Sequence, residues 1–325
     1  MATPLSAGSY IFGFGAGSSN REDLWDAITM ISPVETPALS AAPRDRITNV
    51  VTEWLTDTLT AMATATSSGT SVAVEGDDWS SAYNTVTARL RQSNISQIFR
   101  RDLFVADTQR AVDPAGVSDE YEYQVMKAGK ELLRNIEGRL LTHVTASGNS
   151  ASGDGSSAAR VFATLASTAS WVIPRSGVSG AITIGHINSL HRVVWNAGGN
   201  PDTLYVSGPS KAAFTSSAQG SATSRVHNIA AADKRVVAVV NVFDGDFGVL
   251  NVVPSRQMNS STASASGMKA WLIERQKLRI GMLRDMKHTP LGRNGDGTRG
   301  MVLSELTIKV MHASAHGYLD GLTDA

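Results

Sequence analysis

The sequence predicts an α+β fold of long elements around a small inserted α/β unit, and three observations predict it. Apolar residues recur at helical spacing along 118–146, far longer than an average helix. Two long β-rich runs, 269–283 and 301–312, flank a polar tip at 284–300 punctuated by Pro290, Gly292, Gly295, Gly297 and Gly300, the pattern of a long hairpin. Two earlier β-rich runs, 47–54 and 95–105, bracket a stretch of Thr, Ser, Ala and Gly over 55–91, too long for a connection inside a compact core.

Taken in order, residues 1–19 carry Pro4, Gly8, Gly13, Gly15 and Gly17 among small polar residues and have no core pattern. Asn20 can cap a helix with Glu22 and Asp23 in its first turn, and Leu24, Ile28 and Ile31 share one face. Pro33 and Pro37 then stop and redirect the chain. A stripe that short needs a partner surface, so 1–42 reads as an arm. The polar stretch that follows holds Trp79 and Tyr83 and reads as a two-stranded extension; a mobile surface loop is the plainer alternative.

The long helix is expected to start at a Ser118 cap, with Asp119, Glu120 and Glu122 in its first turn. Tyr121, Val125, Ala128, Leu132, Ile136, Leu140 and Val144 form the stripe of a rod roughly 40 Å long. Lys127, Lys130, Glu131, Arg134, Glu137 and Arg139 are assigned to a solvated face. A break at 147–157 precedes a weaker helix over 159–170. The inserted unit then follows: a helix at 184–195 with Ile187, Leu190 and Val194 inward, a Gly-Gly-Asn-Pro stop, a strand at 203–207, a short helix after Pro209, and strands at 236–243 and 249–253.

Composition narrows the function classes. With 325 residues, 42% of them hydrophobic, the chain can bury a sizeable core or two sharing one boundary. Its 29 basic residues balance 29 acidic ones, against capture of nucleic acid by a strongly positive overall field, although a local basic patch stays open. There is no cysteine, which removes disulfides, thiolate metal sites and thiol catalysis. No signal-peptide pattern and no 18-residue apolar segment occurs, so a soluble protein used in a cytoplasm is expected.

Apparent chemical motifs dissolve on inspection. Gly13-Phe14-Gly15-Ala16-Gly17 lacks the strand and helix of a dinucleotide loop, and Asp246-Phe247-Gly248 stands without the rest of a kinase site and reads as a turn between strands. Asn294-Gly295-Asp296-Gly297 lacks the alternating oxygen ligands of a calcium loop. His312 and His316 sit in strand context, and His186 and His191 point to different helix faces. No catalytic residue, metal ligand or cofactor is therefore expected.

The order of elements resembles that of the Hong Kong 97-type fold of tailed-phage major capsid proteins. Asn20-Arg21-Glu22-Asp23-Leu24, Ile31-Ser32-Pro33-Val34-Glu35-Thr36-Pro37, Glu53-Trp54, Lys130-Glu131-Leu132, Gly199-Asn200-Pro201-Asp202-Thr203, Phe247-Gly248, Val253-Pro254 and Ala315-His316-Gly317 together resemble one family of phage major head proteins. The resemblance implies an N-terminal arm at 1–42, an extended loop at 47–98, a peripheral domain from 99–175 and 254–312, an axial domain at 178–250 and a C-terminal tail at 313–325. It further implies a subunit, not an enzyme, that self-assembles into an icosahedral head around double-stranded DNA. The implied partners are copies of itself in pentamers and hexamers, a portal, a separate scaffold, decoration proteins, and DNA held without sequence specificity, but no membrane. The implied location is the virion, after assembly in the host cytoplasm. Many members of the fold begin with a long removable scaffolding segment, whereas about 20 residues precede the first helix expected here; this is why the scaffold is expected to be a separate protein.

Within that reading Leu24, Ile28, Ile31, Trp54, Trp79 and Tyr83 are the candidate inter-subunit contacts, the alternative for the aromatics being their own subunit's core. Some shells of this fold are cross-linked through a lysine on the extended loop; here the first lysine is Lys127, so non-covalent contacts are expected. An encapsulin-like compartment shell shares the fold and stays open. A hydrolase with its site in 178–250 is disfavoured, because no nucleophile, base and oxyanion donor can be assembled from named residues.

Overall fold

A computed structural model describes residues 30–31, 34–59, 75, 88–112, 116–141, 159–165, 175–220, 240–259, 268–293 and 295–322. The backbone of the molecule is helix α3, Glu120–Leu141, 22 residues and so roughly 33 Å long. Of its expected stripe, Ala128, Leu132, Ile136 and Leu140 are buried, Tyr121 and Val125 half-buried, and Val144 lies outside the described residues. The cap is Asp119, not Ser118: its Oδ1 accepts the Tyr121 N–H at 2.9 Å, and its carbonyl accepts the Tyr123 N–H.

The stripe rests on a four-stranded sheet in the order β1-β10-β11-β4, built from Arg44–Arg46 (β1), Gln97–Val105 (β4), Leu278–Leu291 (β10) and Thr298–Val310 (β11). Strands β10 and β11 form the expected long hairpin, and β4 and β1 flank it, antiparallel and parallel respectively. Alternate residues Val302, Leu306, Ile308 and Val310 meet α3, giving the one-faced burial of an antiparallel sheet. Each fully buried Leu or Ile contributes about 1.5–3 kcal/mol.

A second sheet, β5-β12-β9-β6-β8-β7, comprises Arg175–Gly180 (β5), Thr203–Val206 (β6), Val242–Gly245 (β7), Gly248–Pro254 (β8), Met268–Ile273 (β9) and Gly317–Leu322 (β12). Helices α4 (Ile184–Asn196) and α5 (Gly208–Gly220) accompany it. Its core gathers Ile187, Leu190 and Val194, as the spacing predicts, with Phe214, Leu250, Leu272 and Leu319. A hairpin of Val51–Thr56 (β2) and Leu90–Ile95 (β3) forms a separate two-stranded ribbon.

Six further expectations need correction. Residues 313–325 are not a tail: β12 lies inside the second sheet, parallel to β5 and antiparallel to β9. Helix α4 lies so close to β12 that a Cβ on Gly317 would stand 2.9 Å from Leu190 Cδ1 and Val194 Cγ2, which makes that glycine a packing requirement. The run 269–283 is not one strand, because Glu274-Arg275-Gln276-Lys277 breaks it with a short 3-10 turn, Arg275–Lys277. Before the break Ala270, Trp271, Leu272 and Ile273 are all buried, as in a central strand; after it β10 buries Leu278, Ile280 and Gly281 and continues, half-buried to exposed, to Leu291.

Residues 159–164 are irregular, not helical, with the Phe162 N–H bonded to Gln97 Oε1 and both Ala163 backbone groups bonded to the Asn94 amide. The β-rich run at 47–54 forms strand only from Val51, and the strand expected at 236–243 is described from Val242. Finally, Glu137 is fully buried, not solvated.

Candidate assembly interface

The arm enters the described structure at a five-residue helix, α1 (Pro37–Ala41), too short to persist alone. Its N-cap Thr36 makes no capping bond. The carboxylate of Glu137, from the middle of α3, takes that place: Oε1 accepts the Ala38 N–H at 2.9 Å and Oε2 the Leu39 N–H at 2.7 Å. Pro37 has no N–H, and the Ser40 N–H already reaches the Thr36 carbonyl, so every donor in the first turn is satisfied. Ala38 and Leu39 join the α3 core beside this clamp. Burial pushes the Glu137 carboxyl up, and the two N–H bonds pull it back. Burial, then the Glu137 charge, pushes the nearby Tyr205 hydroxyl up to about 12. On leaving α1 the chain adds β1 beside β10, so the root of the arm is fixed on two sides.

The extension is rooted just as firmly. Trp54 is buried in the α3 core, and its indole Nε1 donates to the Val310 carbonyl at 2.9 Å. On the same ribbon face, opposite Thr52, Asn94 donates to the Ile308 and Ala163 carbonyls. The other ribbon face is exposed and carries Val51, Leu55 and a Glu53–Arg91 ion pair. Leu55 and Leu90 are exposed at the far end of the ribbon.

The hairpin end is tied to α2 (Asp107–Ala111): Asp107 accepts from Arg293 at 2.7 Å and from the Thr298 hydroxyl at 3.2 Å. Arg110 reaches Asp119 at 3.0 Å and, through that hydrogen bond, holds its carboxyl below the usual range. Tyr121 Oη lies 2.9 Å from His288 Nε2, joining α3 to β10.

In the second sheet, Phe247 of the β7–β8 turn packs on His191 and Trp195 with ring centroids 5.8 and 5.6 Å apart. Burial pushes the His191 imidazole down, so it stays neutral there. Val193, Trp195, Val242 and Val249 are exposed around this corner, and β7 is an edge strand. His316 is buried, accepts the Glu274 N–H on Nδ1, and is pushed by burial down to about 4.

Among the six candidate contacts, Leu24, Ile28, Trp79 and Tyr83 lie outside the described residues, as does the glycine-rich run at 13–17. Ile31 is fully exposed, available to another surface. Trp54 belongs to its own chain's core. Glu137 and Asn94, which fix the arm and the extension, were missed. For Glu137 a signal existed, since it lies four residues from both Leu133 and Leu141 and directly after Ile136. A cleft of about 390 Å³ between β4 and α3 is lined by Arg101, Asp102, Glu120, Gln124, Lys127 and Glu131, with Arg101 paired to Glu131 at 2.9 Å. The arrangement holds the roots of two projecting segments.

Solved structures share this architecture over nearly the whole chain. A solved structure from Gordonia phage Cozz superposes with a TM-score of 0.62 at 14% identity, covering 100% of this chain and 99% of that one. The capsid structure of Cyanophage P-SCSP1u gives 0.58 at 12% identity, with 100% of both chains covered. The holo-SrpI encapsulin complex of Synechococcus elongatus also gives 0.58, at 11% identity and 94% coverage of each chain, so the fold by itself does not separate capsid from compartment. Sequence does: the major capsid protein of Escherichia phage Phieco32 is 32% identical over 115 residues, which span 35% of this chain and 31% of that protein. The family description for the SU10 major capsid protein matches residues 10–323, almost the whole chain. This chain belongs to the SU10 major capsid protein family, a family of shell subunits and not of enzymes.

Proposed function

We propose that the chain builds the icosahedral head of a tailed phage from pentamers and hexamers, around a double-stranded DNA genome held without sequence specificity. The match to the capsid family from residue 10 to residue 323 carries this reading. In it the two projecting segments, arm and extended loop, are rooted rigidly in one subunit so that their far ends meet others. The expected partners beyond other copies are a portal, a separate scaffold and decoration proteins, with assembly in the host cytoplasm. Balanced charge supports packaging that relies on mobile counterions more than on attraction to the shell. Deleting residues 1–32 tests the arm: the subunit should fold, because α1 and its Glu137 clamp remain, yet form no shells. Normal shells from that variant would overturn the role given to the arm.

A further inference from the structure

Strand β4 closes one end of the four-stranded sheet and has no strand on its outer side among the described residues. It is nine residues long, pairs with β11 in unbroken register and contains no proline, so it lacks the bulge or break that usually blunts an edge. The opposite end of the sheet is a strand of only three residues, β1. Alternate residues of β4 share a face. Phe99, Arg101, Leu103 and Val105 lie on the α3 side, where Arg101 is bound to Glu131 at 2.9 Å. Ile98, Arg100, Asp102 and Phe104 lie on the other, with Arg100 and Asp102 paired at 3.1 Å and both side chains more than half exposed. Ile98 and Phe104 are 42% and 58% exposed, two apolar side chains on an open edge.

The chemistry along this strand is complementary to its own reverse about Arg101. When β4 of a second copy is laid antiparallel with the two Arg101 residues opposite each other, Arg100 of each chain meets Asp102 of the other, Ile98 meets Phe104, and Phe99 meets Leu103. The two Arg100–Asp102 pairs then form a square of alternating charge flanked by apolar pairs, and each Arg101 keeps its own Glu131 beside it. Moving the centre to Arg100 or to Asp102 sets like charges opposite each other, so the register is specific. We propose that β4 is a two-fold interface, at which the outer edges of two copies pair antiparallel about Arg101 and join two four-stranded sheets into one. Main-chain hydrogen bonds along the edge supply the adhesion, and the side-chain order supplies the register. Such a contact is self-complementary and closes on a pair. The proposal rests on the shell reading and names one contact within it, between subunits related by a two-fold axis.

The chain contains no cysteine, so a single introduced thiol reports the pairing directly. In assembled particles treated with oxidised glutathione, Arg101→Cys should give mostly disulfide-linked dimers, because directly opposed Cβ atoms lie about 4.5–5.5 Å apart. Ile98→Cys alone should give none, since its counterpart lies roughly 20 Å away along the strand, whereas Ile98→Cys mixed with Phe104→Cys should give dimers. Charge reversal gives a second reading, scored by the yield of sedimenting shells and by subunit melting. Arg100→Glu and Asp102→Arg should each fold normally but lose shell yield by at least about tenfold, since like charges then face each other. Mixing the two should restore shells, because an acidic edge then meets a basic one. Normal yield from either variant alone overturns the proposal. So does rescue by both substitutions in one chain but not by mixing, which would confine the Arg100–Asp102 interaction to a single copy. Shells without Arg101→Cys dimers would strike the pairing alone, and dimers without shells would keep the pairing and strike the shell reading.

Discussion

Glu137 offers the sharpest test of how the arm is held. Replacing it with Ala strips the acceptors from the Ala38 and Leu39 N–H groups, bonded at 2.9 and 2.7 Å in a fully buried site. Each orphaned buried donor costs about 1–3 kcal/mol. Against this, the variant no longer buries a carboxyl whose raised pKa reports its desolvation. The net expected loss is about 2–4 kcal/mol at neutral pH. Glu137→Gln keeps one oxygen acceptor and should lose about half as much. The pH dependence has a definite sign. Because the folded-state pKa lies above the unfolded one, wild-type stability falls as pH rises through that interval, while the Gln variant does not titrate; the gap between them therefore narrows. Urea denaturation gives the stabilities, tryptic cleavage at Arg44 and Arg46 reports release of the arm, and exposed Lys130→Ala is the control. A Glu137→Ala variant that unfolds and is cleaved like the control would refute the clamp.

Three further outcomes follow from the same structure. Leu140→Ala, mid-stripe and buried, should cost about 2–5 kcal/mol in urea denaturation, and a change under about 0.5 kcal/mol would place the stripe elsewhere. His316 stays neutral down to about pH 4 in the folded chain, so between its ordinary value of 6.5 and that point the unfolded chain binds the extra proton and stability drops by about 3 kcal/mol as pH falls; His316→Gln should flatten this slope, and an unchanged slope would contradict the assignment. With no cysteine, and no lysine before Lys127, mature particles boiled in detergent should run as one band near 34 kDa, and a resistant ladder of multimers would show covalent links.

The sequence made some elements plain and concealed others for physical reasons. Helices α3 and α4 were legible because Leu132, Ile136 and Leu140, like Ile187, Leu190 and Val194, repeat at the helical period and face one core. Strand β12 was not, since its six residues are explained only by β5 and β9, partners far away in sequence. The continuous apolar run Ala270 to Ile273 resembled the start of β10 until the second sheet buried both its faces. Glu137 was misplaced because its charge outweighed its position; a buried carboxylate becomes reasonable only once two backbone donors from a residue pair about 100 positions earlier are seen to need it. Trp54 stands in its own subunit's core, the alternative to the inter-subunit contact expected of it, and there it anchors the extension.

The most direct test of the account is negative-stain microscopy of the purified, full-length chain, coupled to a nuclease-protection assay on particles recovered from infected cells. The account predicts closed icosahedral shells or rings of five and six subunits, with protected double-stranded DNA in the mature particles. Monodisperse monomers under all assembly conditions, or shells that enclose a protein cargo in place of DNA, would contradict it.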